Sequence, residues 1–132
     1  MKTLGDGVML SFARAPQALA TAFELCAAAA DLGRRTGTAF AVRVGVHEGP
    51  CYVVRANDRV DLFGTTVNIA ARLEGQAAAG QVVMLGELLD DDETRAVLAA
   101  HRPTVQRSRS ELRGLRGHYA LAVMEPARRD AA

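Results

Sequence analysis

The chain has 132 residues, 49% of them hydrophobic and 23% charged, with a formal net charge of +1. That length supports one hydrophobic core and argues against two domains. A charge so close to zero gives no basis for nonspecific binding to nucleic acid or to an anionic membrane. No apolar run is long enough to span a bilayer, and the start is not a signal peptide, because no apolar segment follows a basic one. Cys26 and Cys51 lack metal-ligand spacing, so reduced thiols in a cytoplasmic protein are the expectation.

In chain order, residues 1–4 read as the end of a strand. Gly5-Asp6-Gly7 is a tight turn, and Val8, Leu10 and Phe12 alternate with Met9 and Ser11 as a half-buried strand. The pair predicts a hairpin with Asp6 at its tip, and a hairpin beginning at residue 1 predicts sequence upstream. Pro16 opens a helix to about residue 35, with Leu19, Ala22, Phe23, Cys26 and Ala30 as its apolar stripe and Gly33 and Gly37 ending it. Phe40, Val42, Val44 and Val46 alternate with Ala41, Arg43, Gly45 and His47, which predicts a strand. Gly49-Pro50 turns it into a return strand over residues 51–55, and residues 56–60 read as a polar loop.

Residues 61–73, Asp-Leu-Phe-Gly-Thr-Thr-Val-Asn-Ile-Ala-Ala-Arg-Leu, read as a loop running into a helix that continues to Gly80. Thr65 or Thr66 is expected to cap it, with Val67, Ala70 and Ala71 on its apolar face. Asn68 and Arg72 are four residues apart and therefore neighbours on the helix surface. Two readings are open for them. They are a solvated polar face, or they suit a phosphate or oxyanion, which a planar guanidinium and the helix dipole would favour.

Residues 81–85 predict a short buried strand, and residues 86–100 a helix carrying Leu88, Leu89, Val97 and Leu98. The run Asp90-Asp91-Asp92-Glu93 points around a helix rather than at one point, so it reads as a solvated surface. Residues 103–110 are a loop or edge strand, residues 118–124 a last strand, and residues 126–132 a frayed tail. The order βαββαβαβ with hairpins predicts an α+β fold, an antiparallel-rich sheet covered by helices.

Three blocks carry a resemblance: Lys2-Thr3-Leu4-Gly5-Asp6-Gly7, Arg43-Val44-Gly45-Val46-His47-Glu48-Gly49, and residues 61–73. Their order and spacing are similar to the class III nucleotidyl cyclase catalytic domain, as is the closing Leu112-Arg113-Gly114-Leu115. The resemblance covers nearly the whole chain and implies a ferredoxin-like sandwich acting as a dimer, homodimeric or with another cyclase domain. It implies conversion of ATP to cyclic AMP and pyrophosphate by in-line attack of the ribose 3′-oxygen, in intracellular signalling. Two Mg2+ or Mn2+ ions held between two aspartates assist that reaction. Asp6 resembles the second metal aspartate. Lys2 and Asp61 resemble the pair that reads adenine, and their donor–acceptor pattern favours ATP over GTP. Asn68 resembles the residue that orients the ribose, and Arg72 the one that stabilises charge on the α-phosphate. Arg43 resembles an arginine that contacts the triphosphate from the metal-bearing subunit, with a solvated strand face as the alternative. Arg113 or Arg116 stands where the family has a basic triphosphate ligand, and His47 reads as structural.

The resemblance also implies a departure. The family's first metal aspartate lies on an earlier strand, in a Phe-x-Asp-type motif, and these residues begin at the second strand. The first strand and helices are therefore expected to be absent here, leaving one metal carboxylate, an unpaired sheet edge and an open apolar face. Three readings follow: an adenylate cyclase domain whose start lies upstream, a half-site subunit completed by a partner, or a noncatalytic nucleotide-binding or dimerisation remnant.

Overall fold

A computed structural model describes residues 2–4, 7–50, 52–56 and 59–127. Two short hairpins flank the first helix and its strand. Strand β1 (Lys2–Leu4) pairs antiparallel with β2 (Gly7–Met9), setting Lys2 opposite Met9. A hairpin forms here as expected, but β2 ends at Met9, and Val8, Leu10 and Phe12 are exposed rather than half-buried; Asp6 itself lies outside the described residues. Helix α1 spans Ala15–Thr36, with Pro16 in its first turn and Gly37 closing it at φ 68°. That left-handed conformation suits a residue without Cβ. Gly33 lies within the helix rather than ending it, and Ala29 rather than Ala30 is buried with Leu19, Ala22, Phe23 and Cys26.

Strand β3 (Val44–Val46) is much shorter than the alternation from Phe40 predicts. Its partner sets the length. β6 (Val82–Leu85) runs parallel to β3, and just before it the bonds become irregular, with the Gly80 amide donating to the Val42 carbonyl. β4 (Tyr52–Ala56) and β5 (Arg59–Phe63) form a second antiparallel hairpin, in which Asp61 lies opposite Val54. The region expected to be a polar loop is therefore largely strand, and Asp61 belongs to that strand rather than to a loop.

Helix α2 (Thr65–Gly75) stops five residues short of Gly80 because its last turn tightens. The Gln76 and Ala77 amides donate three residues back, to Leu73 and Glu74, and the Gln81 side chain accepts from the Ala78 amide at 2.9 Å. The expected helix over residues 86–100 divides into a 3-10 turn, Gly86–Asp90, and helix α3 (Asp92–His101). Asp91 causes the division by accepting from the Thr94 amide at 2.9 Å as the N-cap of α3. Asp92 pairs with Arg95 and Glu93 with Arg14, so the acidic run is a cap and a paired surface. β7 (Thr104–Glu111) and β8 (His118–Glu125) complete the sheet as a long antiparallel hairpin.

The four-stranded sheet has the order β3-β6-β8-β7. β6 is buried along its whole length and feeds both cores by alternation. Val82 and Met84 meet Leu19, Phe23 and Cys26 of α1, with Val97 and Leu98 of α3 alongside. Val83 and Leu85 meet Leu73 of α2, Leu112 and Leu121 on the opposite face. The architecture is α+β, a mixed sheet between α1 with α3 on one face and α2 on the other, as the sequence predicts. Among the described residues, no helix is long and apolar enough to cross a membrane.

Candidate active site

The candidate site is built on α2, and α2 is seated by two glycines. A Cβ on Gly45 of β3 would overlap the Ala70 carbonyl oxygen and the Glu74 amide nitrogen, and would sit 3.0 Å from the Glu74 Cα. The helix backbone therefore lies directly on the strand backbone, which only glycine allows. Gly49 has a similar function one turn earlier, where an added Cβ would stand 2.6 Å from the Thr66 hydroxyl. That hydroxyl donates to the Pro50 carbonyl at 2.5 Å. Neither Thr65 nor Thr66 caps α2. The N-cap is Gly64, at φ 128°, and no side chain accepts from the first turn. The capping expectation fails because Thr66 turns its hydroxyl to the neighbouring loop.

Seated in this way, α2 buries Leu73 and packs Ile69 beside it, while Ala71 is exposed, contrary to the apolar face expected from spacing. Asn68 and Arg72 are both exposed and one turn apart, as their spacing requires. The Arg72 guanidinium makes no ion pair or hydrogen bond among the described residues. It reaches the turn that precedes β8. One guanidinium nitrogen lies 4.0 Å from where a Gly114 Cβ would stand, and Gly114 is held at φ +82°. Arg113 is exposed beside it in that turn, which is closed by the Leu115 amide donating to the Leu112 carbonyl at 2.9 Å. Arg116 is exposed two residues further on.

Arg43, just before β3, is held differently. It pairs with Glu74 of α2 at 3.3 Å, with the two side chains 51% and 42% exposed. Glu74 is the neighbour that sequence reasoning missed. Gly45 was legible as a signal, since a glycine inside a strand pattern marks a close backbone approach. His47 is half-buried at the end of β3, and burial pushes its imidazole below the usual value against the opposing pull of Glu87 and Glu48. Lys2 lies on β1 and Asp61 on β5, while Asp6 falls outside the described residues. Among the described residues there is no group of three or more His, Cys, Asp or Glu able to hold a metal ion. The structure thus brings Arg72 to the Arg113–Gly114 turn and ties Arg43 to the same helix through Glu74. The arrangement presents the unpaired Arg72 guanidinium, the Asn68 amide and further basic groups to solvent, a set suited to a polyanion.

Residues 1–124 match the family model described as the adenylate and guanylate cyclase catalytic domain. Over 85 residues the chain is 39% identical to "Putative adenylate cyclase 3" of Rhizobium meliloti, covering 63% of this chain and 14% of that protein. It is 36% identical over 87 residues to the uncharacterized protein Rv1359 of Mycobacterium tuberculosis, covering 66% of this chain and 31% of that one. The chain therefore spans less than a third of the length of either curated relative. Among solved structures, the fold is similar to an adenylate/guanylate cyclase/hydrolase from Silicibacter pomeroyi, with a TM-score of 0.73 and 22% identity over 96% of this chain and 70% of that one. The guanylate cyclase domain of RhGC from Catenaria anguillulae, solved with GTP, matches with a TM-score of 0.68 and 21% identity over 96% of this chain and 71% of that one.

Proposed function

The chain belongs to the adenylate and guanylate cyclase catalytic-domain family, and from that membership we propose that it acts on ATP, forming cyclic AMP and pyrophosphate at a dimer interface. The observation that carries this reading is the exposed pair Asn68 and Arg72 on α2, with the Arg72 guanidinium unpaired among the described residues and directed at the Arg113–Gly114 turn. A delocalised, always-protonated donor in that position suits the charge that grows on the α-phosphate in the transition state. Asn68, one turn away, orients the ribose. Arg113 and Arg43 bind the triphosphate, Arg43 by leaving Glu74. Lys2 donates to adenine and Asp61 accepts from its amino group, a pattern that guanine reverses.

Mg2+ or Mn2+ is the metal this chemistry takes, and Asp6 is the hard oxygen ligand this sequence offers to it. When bound, such ions neutralise phosphate charge. Among the described residues no group of three or more His, Cys, Asp or Glu is placed to hold such an ion. A second arrangement of the same function is a half-site subunit, in which Asn68 and Arg72 serve a chain carrying both metal aspartates.

The test is cyclic AMP formation from ATP with Mn2+, by the chain alone and mixed with a cyclase domain bearing both aspartates. Arg72→Ala is expected to lower the rate at least ~100-fold, the magnitude typical of removing one oxyanion donor. An unchanged rate would remove Arg72 from the mechanism. Turnover that appears only on mixing would select the half-site arrangement.

A further inference from the structure

At the end of the sheet away from β3, strand β7 is hydrogen-bonded to β8 across eight residues, and among the described residues no strand pairs with its other side. It is exposed on both faces, which is unusual for so long a strand. Its residues alternate by face. Val105, Arg107 and Arg109 share one face, opposite Met124, Ala122 and Ala120 of β8. The Arg107 and Arg109 guanidinium groups make no ion pair or hydrogen bond among the described residues. They rim a shallow groove of about 380 Å³ that also takes in Gly86, Ser108, Ala120 and Leu121. A Cβ added at Gly86 would stand 3.5 Å from the Ala120 carbonyl oxygen, so the floor of the groove is formed by two small residues in close approach. Val105, 39% exposed, continues the same face.

We propose that the free edge of β7 binds an acidic, extended peptide segment of another protein, which adds to the four-stranded sheet as a fifth strand. The open row of backbone amides and carbonyls supplies affinity without sequence preference. Arg107 and Arg109, two residues apart on one face, select carboxylates at alternate positions of the incoming strand. Charge disfavours a second copy as the occupant. Antiparallel self-pairing centred on Ser108 would set Arg107 opposite Arg109, and like charges directly opposite destabilise a strand pair. The same arginines that guard the edge against self-association thus admit a strand of opposite charge.

The probe is a fluorescein-labelled ten-residue peptide alternating Asp and Val, with binding to the full chain followed by anisotropy at low salt. Controls are the Lys/Val peptide, the Asp/Val peptide with every backbone nitrogen methylated, and a single-stranded oligonucleotide of equal charge. The Asp/Val peptide is expected to bind at least tenfold more tightly than any control. The double variant Arg107→Glu/Arg109→Glu is expected to lose that binding and to gain the Lys/Val peptide. Arg107→Gln/Arg109→Gln, milder on the fold, is expected to weaken the Asp/Val peptide about tenfold. Failure of the Asp/Val peptide to bind overturns the proposal. Equal binding of the methylated peptide overturns strand addition, and equal binding of the oligonucleotide overturns peptide selectivity.

Discussion

Replacing Gly45 by Ala tests whether the close seat of α2 on β3 is what holds the candidate site in place. The added methyl would overlap backbone atoms of α2, the Ala70 carbonyl oxygen and the Glu74 amide nitrogen. Neither atom can rotate aside as a side chain would, so the helix must shift bodily. Overpacking of a core contact costs about 1–3 kcal/mol, and a clash with backbone on both sides places this one near 3 kcal/mol. For a domain of this size each kcal/mol moves Tm by roughly 4 °C, so Gly45→Ala should melt about 12 °C below the parent by far-ultraviolet circular dichroism. Gly75→Ala is the internal control, because nothing lies within 4 Å of its Cβ position and the residue ends the same helix. It should melt at or slightly above the parent. A Gly45→Ala protein melting within 2 °C of the parent would refute the close-approach reasoning.

Leu73 is 0% exposed and central to the core between α2 and the sheet, so Leu73→Ala should cost about 3 kcal/mol in urea unfolding, with an unchanged m-value. Thr66→Val removes the bond to the Pro50 carbonyl and should cost about 1 kcal/mol, read also as faster amide exchange at Asn68 in the first turns of α2. Burial lowers the His47 value against the pull of Glu87 and Glu48, so its folded-state value lies below its unfolded one. The unfolded chain then binds more protons as pH falls from about 6.5, and stability falls with it through the lower folded value. The slope of stability between pH 7 and 5 should flatten in His47→Gln, and an unchanged slope would assign the dependence to other groups.

Several elements were legible in the sequence because local pattern and tertiary environment agree. The β1–β2 hairpin follows from glycines flanking Asp6 and an alternating run, α1 from Pro16 and a helical stripe, and β6 from an apolar run buried on both faces. β5 was missed although Arg59-Val60-Asp61-Leu62-Phe63 alternates, because its charged residues outweighed the period. The length of β3 was not legible, since Val42 and Val44 look alike in sequence and only the irregular bonds before β6 separate them. The apolar face of α2 was misjudged by counting alanines. The helix buries Leu73 and half-buries Ile69 beside it, and its alanines lie where backbone meets backbone or solvent. Asn68 and Arg72 were legible as a pair because the helical period alone sets their separation. The Arg43–Glu74 contact joins residues far apart in sequence, and no local pattern announces it.

That contact bears on how Arg43, just before β3, and Arg72, on α2, would each meet a polyanion. Exposed ion pairs are worth about 0–1 kcal/mol, and Arg43 and Glu74 are each roughly half in solvent. The pair therefore contributes little to holding α2 on β3, a task already performed by the Gly45 contact and the Thr66–Pro50 bond. Arg43 can leave Glu74 at small cost when a more highly charged group arrives, whereas Arg72 has no described partner to leave. On the proposed reading Arg72 is ready before substrate and Arg43 is exchanged into place by it. Glu74 then competes with the triphosphate for Arg43, so Glu74→Gln should lower KM for ATP severalfold with little change in kcat. A fall in kcat with unchanged KM would mean instead that Glu74 holds α2 in its working position.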